Sequence, residues 1–179
     1  MDTEERLLER IRQGNRRAQQ ELYCQYANAA MAVAMRYVAD TEAARDVLQE
    51  AFIKVLTRLD SFTYKGTGSL KAWIMRVVCN ESLGWLKQES RFVYEELSGE
   101  DLPDDEPDVG GISMDILQRM IEQLPDGYRT VFNLYVFEQK SHKEIASMLG
   151  IKENSSASQY LRAKRLLAKQ INDYKQQQL

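Results

Sequence analysis

Apolar side chains recur at helical spacing along most of this chain. Between residues 41 and 59 they fall at the i, i+3, i+4, i+7 positions, with Phe52 at the centre of the stripe. This pattern is typical of a helix that packs one face on a core. Strand-like alternation of any useful length is absent, and only 9 glycines and 3 prolines occur in 179 residues. The sequence therefore predicts an all-α protein.

The one long interruption of this pattern is residues 92–111, FVYEELSGEDLPDDEPDVGG. The segment holds two of the three prolines, three of the nine glycines and a dense block of acids. That composition is typical of a linker. We therefore predict two small helical domains, residues 1–91 and residues 112–179, joined by a flexible acidic linker at residues 92–111.

Charge is spread unevenly along the chain. The total of 24 basic and 27 acidic side chains gives a net charge of −3, which alone argues against a uniformly basic nucleic-acid-binding protein. Counted by segment, the net charge is +2 over residues 1–91, −9 over residues 92–118 and +4 over residues 119–179. The acidity belongs to the linker region, so two weakly basic domains could bind DNA with the help of a partner.

Other classes of protein and site find little support in the sequence. The most apolar stretch, residues 27–38, is broken by Asn28 and Arg36, so we expect no membrane insertion and a cytoplasmic protein. Cys24 and Cys79 lack metal-ligand spacing and are expected to be reduced core thiols. The only histidine, His142, has no catalytic constellation beside it and is expected at the surface or in contact with a phosphate. We therefore predict no catalytic residues, metal or cofactor.

The helix predicted at residues 41–59 also has a polar face with one apolar residue in it. At about 100° per residue, this face collects Asp46, Gln49, Glu50 and Ile53. An exposed Ile among carboxylates and an amide indicates a protein-binding patch. A solvated helix face with one stray Ile would show the same pattern.

A second predicted helix, beginning near Ser69, carries a basic stripe with an aromatic residue at its head. Such a stripe suits a nucleic-acid backbone, with the aromatic ring available to stack on an unpaired base. The loop before it adds Phe62, Tyr64 and Lys65 as a possible base pocket, although these aromatic residues could instead only close the core. The stripe comprises Trp73, Arg76, Asn80, Leu83, Gly84, Lys87 and Arg91.

The C-terminal part carries the strongest local signal, that of a helix-turn-helix. Ser141 and Glu144 form the S-x-x-E capping box of a short helix that ends at Gly150, and a second helix follows within a few residues. Small polar residues and cations on the outward face of the second helix indicate a DNA reader, although a helical hairpin with a solvated basic face would look similar. The predicted DNA-contacting residues are Lys143, Asn154, Ser155, Ser158, Gln159, Arg162 and Arg165.

Taken together, these segments resemble the extracytoplasmic-function class of bacterial sigma factors. In the N-terminal part, ELYCQY, RYVADTEAARDVLQEAFIKVL and GSLKAWIMRVVCNESLGWLKQESR resemble sigma region two. In the C-terminal part, LPDGYRTVFNLYVFEQKSHKEIASMLGIKENSSASQYLRAKRLL resembles region four. The resemblance implies two helical domains of a non-enzymatic subunit that directs core RNA polymerase to promoter DNA. An anti-sigma factor is the inhibitor that the resemblance implies.

The resemblance also implies a role for each surface. The face with Asp46, Gln49, Glu50 and Ile53 would dock on the clamp helices of the largest polymerase subunit. The helix at residues 69–91 and the loop before it would melt and capture the minus-ten element. The second helix of the C-terminal domain would read the minus-thirty-five element. A helix-turn-helix regulator that acts without polymerase and an all-helical protein-interaction module remain the alternatives.

The sequence departs from the family pattern at a few positions. Gly84 stands where family members often have Asp, and KQESR is less basic than the usual run. Ala157 and Gln159 fall where Lys or Arg is common, while Ser156 and Tyr160 replace a frequent Val and Leu. The first pair is expected to weaken phosphate contacts, and the second to alter how the second helix seats on its neighbour. Together these departures predict a particular promoter preference.

Overall fold

The structure, a computed structural model, describes residues 3–89 and 106–178. Within these ranges the chain forms eight α-helices and one short 3₁₀ turn, with no strand. The all-α prediction is therefore confirmed. The described residues group into two compact units, one ending at Glu89 and the other made by residues 106–178. Arg91 and linker residues 92–105 lie outside the described residues.

The N-terminal unit is a bundle built around three long helices. Helices α2, α3 and α4 pack against one another, and α1 packs against α2. Side-chain caps begin two of the long helices, since Asn15 accepts a hydrogen bond from the Ala18 N–H and Asp40 accepts one from the Ala43 N–H. The elements are α1 (Thr3–Arg12), α2 (Arg16–Val38), α3 (Thr41–Arg58), the 3₁₀ turn (Leu59–Ser61) and α4 (Ser69–Gln88).

Apolar spacing predicts the core of this unit well, with two exceptions. Phe52 is buried at the centre of the α3 stripe as predicted. Cys24, expected in the core, is instead exposed, whereas Cys79 is buried. Helix α2 is weakly amphipathic because apolar residues surround it on several sides, so apolar neighbours in sequence do not place Cys24 inside. Leu83, which fell within the predicted basic stripe, is buried as well.

The helix-turn-helix of the C-terminal unit is formed by α7 and the long helix α8, which is its second helix. Helices α6 and α7 pack along α8, and α5 contacts α8 through an apolar cluster that includes Met120 and Leu124. The elements are α5 (Met114–Glu122), α6 (Asp126–Val136), α7 (His142–Leu149) and α8 (Glu153–Gln177).

Local signals define both ends of α7 as the sequence predicts. The Ser141 hydroxyl accepts from the Glu144 N–H, and the Glu144 carboxylate accepts from the Ser141 N–H at 2.8 Å, which completes the capping box. The Ser141 N–H and hydroxyl both donate to the Glu144 carboxylate, and these two hydrogen bonds lower the pKa of that carboxyl below its ordinary value. At the other end Gly150 adopts a φ of 70° and its N–H bonds to the Ala146 carbonyl.

Arg129 joins α5 to α6 from inside the C-terminal unit. Its guanidinium is buried and donates to the carbonyls of Glu122 at 3.1 Å and Leu124 at 2.7 Å. It also forms an ion pair with Asp126 in the first turn of α6. The side chain therefore satisfies the carbonyls at the end of α5, which have no partners within the helix.

Replacing Arg129 by Ala should lower the free energy of unfolding of the C-terminal unit by about 2 kcal/mol, because two carbonyls and a carboxylate lose a charged donor. Urea unfolding of the full chain measures the change. Arg119→Ala provides the control, since Arg119 is exposed on α5, and should change the unfolding free energy by less than about 0.5 kcal/mol. Equal effects of the two substitutions would contradict this role of Arg129.

The chain segment before α5 lies along α8. Glu106 pairs with Lys164 at 3.2 Å, and Asp108 pairs with Lys175 at 2.6 Å. The hydrogen bond from Lys175, together with one from the Gly110 N–H, lowers the pKa of the Asp108 carboxyl. Two acids that the sequence assigns to the linker thus contact the C-terminal unit.

Candidate nucleic-acid and polymerase interfaces

The polar face of α3 is exposed as the sequence predicts. Asp46, Gln49 and Glu50 are all exposed, and 54% of Ile53 is accessible to solvent. The neighbouring Phe52 is buried and contacts the Tyr23 ring at a centroid distance of 4.8 Å. An exposed apolar side chain therefore lies within a mainly acidic surface, which is typical of an anchor for a protein partner.

A groove of about 350 Å³ adjoins this face between α3 and α4. Its wall includes three carboxylates, from Asp46, Glu50 and Glu81, together with the Trp85 ring. Lys54 crosses the groove to pair with Glu81 at 2.6 Å and so joins the two helices. The groove and the polar face of α3 form one acidic surface, which favours a basic partner.

The basic stripe of α4 is present but interrupted. Arg76, Asn80 and Lys87 are exposed, and Trp73 is half-buried at the N-terminal end of the helix. Leu83 turns into the core instead, so the polar residues form two groups on either side of it. The helix ends at Gln88.

The loop before α4 brings its aromatic residues to Trp73. The rings of Phe62 and Trp73 lie 4.9 Å apart and tilted by 32°. Tyr64 is half-buried and Lys65 is exposed. Phe62 and Trp73 are therefore in contact near the start of α4, and Tyr64 and Lys65 belong to the loop that leads to them.

Two residues of α1 that sequence reasoning missed hold this loop in place. Arg12 donates to the Phe62 carbonyl at 2.7 Å, and Glu4 accepts from the Gly68 N–H at 3.0 Å. The Tyr26 hydroxyl also donates to Glu4, at 2.9 Å. These contacts join residues 50 and 64 positions apart, so no local pattern could have indicated them.

The outward face of α8 presents most of the predicted DNA-contacting residues. Asn154 and Ser158 are exposed near the start of the helix, and Lys143 is exposed on α7. Ser155, Arg162 and Arg165 are half-buried. The Arg162 guanidinium donates to the Tyr128 hydroxyl at 3.3 Å. This bond orients the side chain beside the helix while leaving part of it accessible.

Gln159, which the sequence predicts to contact DNA, is buried rather than exposed on the outward face of α8. Only 7% of this residue is exposed, and its side-chain oxygen is buried without a hydrogen-bond partner among the described residues. At about 100° per residue, Gln159 lies between the outward and inward faces of α8, where packing decides its orientation.

His142 is partly exposed but also packs against residues of two other helices. The side chain is half-buried, and its ring stacks on Tyr135 at 4.6 Å with an interplanar angle of 15°. Its Nδ1 lies 3.0 Å from the hydroxyl oxygen of Ser156 on α8. Tyr160 completes the cluster 5.8 Å from the histidine ring, and burial raises the pKa of its phenol.

The described residues contain no group of three or more His, Cys, Asp or Glu side chains placed to hold a metal ion. No helix among residues 3–89 and 106–178 combines the length and the apolar character needed to cross a membrane.

Comparison with known proteins identifies the family. A model described as Sigma-70 region 2 matches residues 22–92, and one described as Sigma-70, region 4 matches residues 114–167; together they cover more than two thirds of the chain.

Several known proteins are similar to this chain over nearly its whole length. The RNA polymerase sigma-H factor of Pseudomonas aeruginosa is 27% identical over 95% of this chain and 94% of its own. The ECF RNA polymerase sigma-E factor of Haemophilus influenzae is 27% identical over 94% of this chain and 95% of its own. CnrH, solved in complex with the cytosolic domain of CnrY, shares the fold with a TM-score of 0.51 at 19% identity, over 96% of this chain and 99% of that one. The chain belongs to the sigma-70 family of RNA polymerase sigma factors, in its extracytoplasmic-function class.

Proposed function

We propose that this chain recruits core RNA polymerase to specific promoters and assists the opening of promoter DNA. The arrangement of three exposed surfaces carries the proposal. An acidic face with one apolar anchor lies on α3, an aromatic and basic end lies on α4, and a polar and basic face lies on α8. One surface suits a protein and the other two suit nucleic acid, which is the combination that a promoter-specificity subunit needs.

The α3 face would bind the clamp helices of the largest polymerase subunit. Ile53 would insert as the apolar anchor, while the surrounding carboxylates would pair with basic residues of the partner. The groove between α3 and α4 adds Glu81 to the acidic surface on one side of the anchor. Polymerase binding is assigned to Asp46, Gln49, Glu50 and Ile53.

The end of α4 would capture the minus-ten element. Trp73, supported by Phe62, offers a ring on which an unpaired base can stack. Asn80 can bond a base edge, and the exposed cations can follow the phosphates of the single strand. We assign Phe62, Tyr64, Lys65, Trp73, Arg76, Asn80 and Lys87 to this site, together with Arg91, which lies outside the described residues.

The start of α8 would read the minus-thirty-five element in the major groove. Asn154, Ser155 and Ser158 present amide and hydroxyl groups for base edges. Lys143 on α7 and the cations of the next two turns, Arg162 and Arg165, would contact phosphates and fix the register.

These roles give each part of the chain a function. Residues 1–91 would serve as the region two domain, residues 92–111 as the acidic linker, and residues 112–179 as the region four domain. No covalent chemistry is proposed, because the free energy of binding opens the strands. Such a protein would act in the cytoplasm, where an anti-sigma factor would inhibit it by covering the polymerase and DNA surfaces.

Dependence on polymerase tests this proposal. Genomic fragments are incubated with the full chain alone and with the chain plus core polymerase, and the bound fragments are sequenced. Because each domain carries only a small positive charge, the chain alone should retain few specific fragments. Addition of core polymerase should enrich a discrete set. Tight, sequence-specific binding by the chain alone, unchanged by polymerase, would instead show a conventional helix-turn-helix regulator.

A further inference from the structure

One aromatic cluster connects all three helices around the helix-turn-helix. Tyr135 of α6 stacks on His142 of α7 at 4.6 Å and contacts Tyr160 of α8 at 4.3 Å, with the two tyrosine rings tilted by 38°. Phe132 of α6 lies parallel to the Tyr160 ring at a greater distance, 6.1 Å. Offset and tilted aromatic pairs at these distances are favourable and have defined geometry. The relative placement of α6, α7 and α8 is therefore tied to these rings.

A hydrogen bond fixes the start of α8 to the start of α7. His142 is the first residue of α7, and its Nδ1 lies 3.0 Å from the Ser156 hydroxyl oxygen. Ser156 is fully buried in the first turns of α8. A polar pair at a buried site is sensitive to distance, because a shift that breaks the bond leaves a buried hydroxyl without its partner.

Ser156 occupies the same short stretch of helix as the base-reading residues. Asn154, Ser155 and Ser158 lie within two residues of it but point outward, whereas Ser156 points inward. A helix turn moves as a rigid body, so displacement of Ser156 by about 1 Å would move all three outward side chains by a similar distance. Hydrogen bonds to base edges tolerate only a few tenths of an ångström.

We infer that His142, Ser156, Tyr135 and Tyr160 are positioning residues that set the base preference of this sigma factor at the minus-thirty-five element. The inference rests on the proposed function. The cluster touches no base itself; it fixes the angle and depth at which α8 presents Asn154, Ser155 and Ser158. A Val and a Leu at positions 156 and 160 would lack both the hydroxyl and the ring.

Four substitutions separate the contribution of the His142–Ser156 hydrogen bond from that of the aromatic contacts. His142→Phe keeps a ring for the stack but cannot bond to Ser156, and Ser156→Val removes the other half of the bond. His142→Asn removes the ring but keeps a polar atom near the position of Nδ1. Tyr160→Phe retains the stacked ring and should keep the wild-type preference. Lys143→Gln, next to His142, is the comparison for a loss of phosphate contact.

The experiment uses holoenzyme assembled from core polymerase and each full-length variant. Run-off transcription is measured on a promoter selected by the wild type and on every single-base change of its minus-thirty-five element. We expect His142→Phe and Ser156→Val to lower the discrimination at the positions read by the start of α8 by about fivefold or more and to change the order of preferred bases. His142→Asn should retain part of the discrimination. Lys143→Gln should lower transcription from all the promoters by a similar factor.

The results of this experiment distinguish failure of the positioning role from failure of the proposed function. Wild-type discrimination in both His142→Phe and Ser156→Val, or a uniform loss like that of Lys143→Gln, would overturn the positioning role while leaving the proposed function intact. Absence of any promoter-specific transcript with the wild-type holoenzyme would overturn the proposed function and the inference with it. Thermal unfolding shows whether each variant is still folded at the assay temperature, and minus-ten base preference, expected to stay near wild type, shows that the variant is bound to polymerase.

Discussion

Replacing Ile53 by Asp should lower the affinity of the full chain for core RNA polymerase by about a hundredfold. Ile53 is the one large apolar side chain on the α3 face, and 54% of it is exposed. An apolar anchor that fills a pocket in a partner commonly contributes about 2 kcal/mol or more to binding, and a buried carboxylate in its place adds a desolvation cost. Titration of fluorescently labelled chain with core polymerase, in the absence of DNA, measures the loss directly.

Two matched variants control this experiment. Ile53→Leu keeps the apolar volume and should retain affinity to within about threefold. Arg58→Asp introduces an acid at an exposed position on the same helix but outside the face, and should also bind nearly as the wild type does. If Ile53→Asp binds core polymerase as tightly as these controls, the α3 face is not the docking surface.

Replacing Trp73 by Ala should slow the formation of the open promoter complex by between about tenfold and a hundredfold. Stacking of a base on an aromatic side chain contributes about 1–3 kcal/mol, and each 1.4 kcal/mol corresponds to a factor of about ten. The Trp73 ring is half-buried and contacts Phe62, so its orientation is already restricted before DNA binds. Permanganate reactivity of unpaired thymines follows the opening of the strands with time.

The same helix supplies the controls for strand opening. Trp73→Phe keeps a stacking ring and should open promoters within about threefold of the wild-type rate. Lys71 is exposed and lies about 160° around α4 from Trp73, so Lys71→Ala should leave the rate unchanged. An equal slowing by Trp73→Ala and Lys71→Ala, or no slowing by Trp73→Ala, would contradict the assignment.

Structural features that depend on local periodicity and capping are predicted correctly from the sequence. The capping box at Ser141, the stop at Gly150 and the buried Phe52 all follow from residues within a few positions of one another. The exposed α3 face is equally local, because rotation around one helix separates Ile53 from the core. Such features depend on helix geometry and on short-range hydrogen bonds, which a single sequence expresses directly.

Where the structure differs from the prediction, packing between helices determines the positions of the side chains. Gln159 sits at the boundary of two helix faces, and the helix rotation angle alone does not show which side packs. His142 looked isolated because Tyr135, Ser156 and Tyr160 belong to other helices, 7, 14 and 18 positions away. The support of the minus-ten loop by Glu4 and Arg12 is likewise a long-range contact. Tertiary contacts of this kind follow from the three-dimensional arrangement and have no periodic signature.

Transcription from total genomic DNA by core polymerase, with and without the full chain, tests the central claim most directly. Sequencing of the RNA 5′ ends maps every start site. A sigma factor of this class should produce discrete start sites that appear only with the chain present and share two sequence elements, centred near positions −35 and −10. These start sites should disappear when the chain carries Ile53→Asp, and transcription from them should fall strongly when it carries Trp73→Ala. An unchanged pattern of random starts, with or without the chain, would contradict the account.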